Sequence, residues 1–118
     1  MATNSQIAFN PQGNTVVVAA NTVAPAGVAA AVKAPFVPQD AGQYRIVNSS
    51  PNLVHLGVGT DAASAQAAAV AAAAGVPAAG IPLVAGAVEI LRFAPGSFFS
   101  GISAAGASTV FVTPGQGI

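Results

Sequence analysis

Six formal charges and one histidine are all that the 118-residue sequence offers to ionic, metal or acid–base chemistry: Lys33, Arg45 and Arg92, Asp40, Asp61 and Glu89, and His55. No cysteine is present, which removes disulfides, thiolate nucleophiles and thiolate-bound zinc. One histidine cannot build a histidine-based metal site, and the carboxylates nearest in sequence, Asp40 and Asp61, are far apart. His55 is the one group that titrates near neutral pH, as a general base or a pH sensor would, and the nearest carboxylate that follows it is Asp61. In a strand His55 shares a face with Leu53 and Gly57, opposite the apolar set Val54, Leu56 and Val58; that makes it a surface or interface position.

Two further segments have the outline of a chemical motif. Gly57-Val58-Gly59-Thr60-Asp61 ahead of a helix has the order of a phosphate loop at a helix N-terminus. It lacks the third glycine of the dinucleotide fingerprint and any Gly-Lys-Ser/Thr, so a tight turn with an aspartate cap explains it better. Ser97, Ser100 and Ser103 lie near Gly96 and Gly101 but form no Gly-x-Ser-x-Gly elbow. No catalytic, cofactor-binding or metal-binding residue is assigned.

The remaining candidates concern contact. Arg45, Glu89 and Arg92 fall in the strongest strands, where a cross-strand ion pair is natural if those strands pair; such a pair is sheet-surface charge or fixes register between subunits. Phe98 and Phe99 are adjacent in a strand and must point to opposite faces. One fills the core, and the other needs a second covered face or a partner. The candidate interface is therefore Phe98, Phe99, Arg45, His55, Glu89 and Arg92.

The elements that would position these residues are short strands. Thr15–Ala19, Gln43–Asn48, Leu53–Gly59, Leu83–Phe93, Ser97–Ser103 and Ser108–Thr113 are rich in β-branched and aromatic residues and bounded by Pro, Gly, Asn and Ser. Val28–Val32, between prolines, reads as a short strand or a turn of helix, the strand preferred because breakers are close by. Asn10-Pro11-Gln12-Gly13-Asn14 signals a reversal, as a hairpin from Gln6–Phe9 or as a strand following an extended arm. Gln43–Asn48 and Leu53–Gly59 around Ser49-Ser50-Pro51-Asn52 form the clearest expected hairpin. Asp61 caps an alanine-rich helix over 61–74, closed by Gly75. About seven strands at ~8–12-residue spacing with one inserted helix predict a mainly β fold, a β-sandwich or jelly-roll-like domain. The chain reads as one domain over 1–118, with an extended N-terminal arm (about 1–14) and a short C-terminal tail (about 114–118).

Charged residues make up 5% of the chain and hydrophobic ones 53%, 29 of them alanine. Three cations cannot neutralise a phosphate backbone, so nucleic acid is not an expected partner. Residues 62–88 carry no charge and are long enough to span a bilayer. Pro77, Pro82 and three glycines interrupt them, however, and no basic flanks or aromatic belt accompany them. Met1–Gln6 is polar and lacks the basic and apolar regions of a signal peptide, which points to synthesis and assembly in the cytoplasm. A neutral, apolar surface associates readily, so the expectation is a subunit largely covered by neighbours.

Tyr44–Asn48, Val54–Gly59, Ala87–Arg92 and Ile102–Gly117, with its Thr113-Pro114-Gly115 ending, together resemble small virion proteins of tailed bacteriophages. The resemblance covers residues 43–117. It implies a structural role of the capsid decoration or cement type: a β-sandwich or jelly-roll homo-oligomer, a trimer by preference, seated on the major capsid protein or other virion proteins at the capsid surface. It carries no catalytic residue and no cofactor, and the Ala62–Ala74 segment has no counterpart in it. A tail, neck or fibre component is the nearest alternative. A small membrane-active protein using residues 62–88 is an alternative of another class.

Overall fold

Nine strands and one helix form the described part of the chain: β1 Asn10–Pro11, β2 Val16–Ala20, β3 Val28–Ala29, β4 Gln43–Asn48, β5 Val54–Gly59, α1 Ala62–Ala68, β6 Ile81–Leu83, β7 Val88–Arg92, β8 Phe98–Ile102 and β9 Ser108–Gln116. The computed structural model describes residues 10–11, 13–29, 43–94 and 97–116. Gln6–Phe9 and most of the expected arm, the strand expectation beyond Ala29, Lys33, Asp40 and the Pro95-Gly96 turn lie outside those residues.

All pairing is antiparallel within two sheets. Sheet A runs β2–β9–β4–β7, with β1 extending the β2 edge along β9; sheet B runs β3–β8–β5–β6. The pairs β2:β9, β3:β8, β4:β7 and β5:β6 nest inside one another. The chain is thus one long antiparallel hairpin, rolled so that β9 also meets β4 and β8 meets β5. That is a jelly roll. Residues 60–80, including α1, form its tip.

Alternation fixes what each sheet buries. Tyr44 and Ile46 of β4, Val18 and Ala20 of β2, and Val110 and Val112 of β9 point inward from sheet A. Val54 and Leu56 of β5, Leu83 of β6 and Phe99 of β8 meet them from sheet B, and Val58 packs against the same core. The Phe99 ring lies edge-on to Tyr44, centroids 5.2 Å apart, and to Phe93 at 5.8 Å. Pro82 sits in the edge strand β6, where a missing donor is tolerated. Pro114 faces Tyr44 on one side and the break between β1 and β2 on the other, which is how a proline fits an inner strand.

Four sequence expectations change. The β4–β5 hairpin does not form, because β4 belongs to sheet A and β5 to sheet B. The single strand expected over Leu83–Phe93 is two strands in different sheets, separated by a turn in which Ala87 N–H donates to Val84 O (3.0 Å) and Gly86 takes φ 76°. The 10–14 signal is no reversal, since β1 and β2 follow one another along the same edge of β9; an arm before Asn10 lies outside the described residues. The expected tail at 114 continues β9, pairing Gly115 with both Pro11 and Gln43.

Asn48 sets the corner. Fully buried, its Nδ2 donates to Asn52 O (2.8 Å), Leu83 O (2.9 Å) and Val84 O (3.1 Å). Its Oδ1 accepts from Ser50 N–H (3.1 Å) and Ser50 Oγ (2.7 Å). Its backbone is bonded to Ala87 O and Gly86 N–H. One side chain therefore clamps the β4–β5 and β6–β7 crossings together. Asn48→Ala leaves buried carbonyls without donors and is expected to lower unfolding stability by about 3 kcal/mol, measured as a fall in the urea midpoint.

The helix is half its expected length. It ends at Ala68, and Ala69 takes φ −80°, ψ 73°. Alanine propensity alone does not hold a short helix in water, and α1 persists only where it lies on β5. A Cβ at Gly57 would stand 2.4 Å from Ala65 O and Ala69 N, and one at Gly59 would stand 2.5 Å from Ala65 N. Beyond Ala69 the helical hydrogen bonds stop, and Ala73 and Val76 exchange both backbone bonds across a tight turn with Gly75 at φ 74°. Gly57→Ala is expected to push α1 off the sheet at a cost of about 1–3 kcal/mol, read as a lower melting temperature with weakened amide protection over 62–69.

Candidate functional site

The six candidate contact residues divide between the outer faces of the two sheets, the core and one flank. Phe99 is in the core. Phe98 is half-buried on the outer face of sheet B, opposite Gly59 and Ala29. His55 is half-buried on that same face, opposite Pro82 and Ile102. It borders a shallow cavity of about 310 Å³ whose other walls include Thr22, Leu53, Ala71, Ile102 and Ala105. That lining is apolar apart from the imidazole and one hydroxyl, and it brings no carboxylate or nucleophile to the histidine.

The expected ion pair is separated by register. β4 and β7 do pair, but Arg45 stands opposite Ile90 and Glu89 opposite Ile46. Directly opposed residues share a face. Arg45 thus projects from the outer face of sheet A, and Glu89 takes the side of inward-facing Ile46 at the open flank of edge strand β7. Arg92, opposite Gln43, shares the face of Arg45. All three charged side chains are exposed.

The loop with the phosphate-binding outline has another use. Gly57 and Gly59 give α1 its seat, and Asp61 fills its N-terminus, accepting from Ser64 N–H at 2.7 Å. The serines are also committed: Ser100 Oγ donates to Pro25 O (2.6 Å), Ser97 Oγ to Ala94 O, and Ser103 Oγ lies 3.3 Å from Ser108 Oγ. Among the described residues, no group of three histidine, cysteine or acidic side chains is placed to hold a metal ion. None of their helices is long and apolar enough to cross a membrane; within the uncharged 62–88 segment, seven residues are helical.

One surface was missed from sequence. Val17 pairs with Phe111, Phe111 with Val47, and Val47 with Val88. These four residues form an apolar row across all four strands of the outer face of sheet A, with Val17 49% and Val88 54% exposed. No other described element covers it. In the adjoining row Arg45 is flanked by Thr113 and Ile90. Alternation in each strand marks these residues as outward-facing, but only the register lines them up.

A comparison with known protein families, characterised proteins and solved structures finds no match to this chain.

The Ser64 backbone N–H and then its hydroxyl hold the Asp61 carboxyl below its ordinary value, against a small opposing effect of desolvation. A depressed carboxylate contributes stability above its unfolded pKa and loses that contribution as pH falls through the folded value. Amide protection over 62–68, taken relative to the free-peptide exchange rate at each pH, is therefore expected to be constant near neutrality and to fall only below the normal aspartate range, whereas Asp61→Asn shows no such acid step.

Proposed function

We propose that the protein is a virion structural subunit of the capsid decoration or cement type, acting as a homo-oligomer, a trimer by preference, that stabilises a phage head shell. The observation that carries this reading is the apolar row Val17–Phe111–Val47–Val88, left open by the other described elements, on a sheet whose outer face bears few charges among the described residues. Contiguous exposed apolar surface on a folded domain marks a place of association. The jelly roll is one of the architectures used by viral shell proteins, which supports the reading by analogy of fold. The likeness of residues 43–117 to small phage virion proteins points the same way. Tail, neck and fibre components share these features and differ only in where the subunit sits.

The mechanism is passive. The face of sheet A is stiffened by a four-strand hydrogen-bonded ladder, so it can bury apolar area without ordering new backbone. It spans roughly 300 Å² in projection, from strand spacings of ~4.8 Å and a rise of ~3.3 Å per residue. A stable pairwise interface buries ~800 Å² on each partner. One such patch is therefore too small alone, and a stable contact must extend onto surface beyond it.

Light scattering of the purified chain is expected to give a trimer, and Val17→Glu with Val88→Glu is expected to reduce it to a monomer with an unchanged circular dichroism spectrum. Electron microscopy of purified phage particles is expected to place the chain on the head surface. A wild-type monomer together with absence from the particles overturns the reading.

A further inference from the structure

We infer that copies of this chain associate head to tail, the outer face of sheet A around Arg45 in one copy seated against the Glu89 flank of strand β7 in the next. The inference rests on the oligomer reading above and names the surfaces that carry it. Arg45 and Glu89 come from paired strands but project from opposite faces of sheet A, so the fold bars them from meeting within one chain. Both are exposed, and among the described residues neither has an ion-pair partner. Among the described charges, Arg45 and Glu89 are a cation and an anion held on different sides of one sheet, a complementary pair that can close only between copies.

A twofold face-to-face contact fits poorly. It would set the apolar row against itself, but it would also bring Arg45 toward its own copy, with no described carboxylate on that face to compensate. A head-to-tail contact avoids this. The apolar row beside Arg45 then meets a flank where Val84, 64% exposed, lies in the turn leading to β7. Each copy uses two different patches, so every subunit contacts two neighbours and the assembly ends only by closing into a ring. Opposite charges at the contact set its direction and suppress the self-facing alternative.

The test is light scattering and sedimentation of the full chain at low and high salt, for wild type, Arg45→Glu, Glu89→Arg and the double reversal. Both positions are exposed, so each variant is expected to retain the wild-type circular dichroism spectrum. Each single reversal juxtaposes like charges and is expected to weaken association by about tenfold or more at low salt. The double reversal is expected to restore it to within a few-fold. Wild-type association in both single variants, or no recovery in the double, overturns the head-to-tail pairing and leaves the oligomer reading standing. A wild-type chain that stays monomeric at every concentration overturns both.

Discussion

The fold turns on the buried amide of Asn48. A rolled hairpin must carry its two arms from one sheet to the other side by side, and the innermost crossings, β4 to β5 and β6 to β7, do so next to each other. At such a corner the ladder hydrogen bonds stop, and backbone groups are buried without partners. Asn48 meets both needs with one side chain, giving its amide protons to Asn52, Leu83 and Val84 and accepting from Ser50. An isosteric leucine would fill the space and satisfy none of these groups, and an aspartate would supply no donors. The residue type follows from the topology.

The second constraint is thickness. Helix α1 has no large apolar side chain, so it cannot hold a sheet at the usual distance through interdigitation. It lies instead with its backbone on the backbone of β5, which glycine at 57 and 59 permits. Alanine 65 and Ala69 are then buried. Part of the odd composition follows from this: Ala65 and Ala69 with Gly57 and Gly59 belong to a close contact between hairpin tip and sheet. That contact also explains why the helix stops. The close contacts of Gly57 and Gly59 end at Ala69, and intrinsic alanine preference is too weak to continue alone.

Strand positions were legible because alternation is local. Val54 and Leu56 against His55, and Phe99 against Phe98, could be assigned to opposite faces from sequence, and the structure bears both out. Strand partners were not legible. A hairpin signal such as Ser49-Ser50-Pro51-Asn52 assumes that consecutive strands pair, yet in a jelly roll nearly every connection crosses between sheets. The same property split Leu83–Phe93 in two and separated Glu89 from Arg45. Ala85-Gly86 was the available sign of the split, and it is weak without knowledge of the Asn48 clamp. The candidate surface shared this fate: its outward-facing residues were visible singly, whereas their alignment into a row depends on registers between segments that are remote in sequence.

Scarcity of charge changes what each remaining charge means. On an ordinary surface with many ions, an exposed pair contributes little and specifies little, because alternative partners are everywhere. Here the apolar row Val17–Phe111–Val47–Val88 can adhere to any apolar surface of similar flatness, so it provides attraction without orientation. Orientation must come from the few groups that repel a wrong partner. Because β4 and β7 place their cation and anion on opposite faces, the same register that prevents an internal ion pair leaves the molecule polarised across one sheet. In the assembly we propose, a copy that is apolar on one face and polarised through it has a direction, and direction is what separates a closed assembly from aggregation.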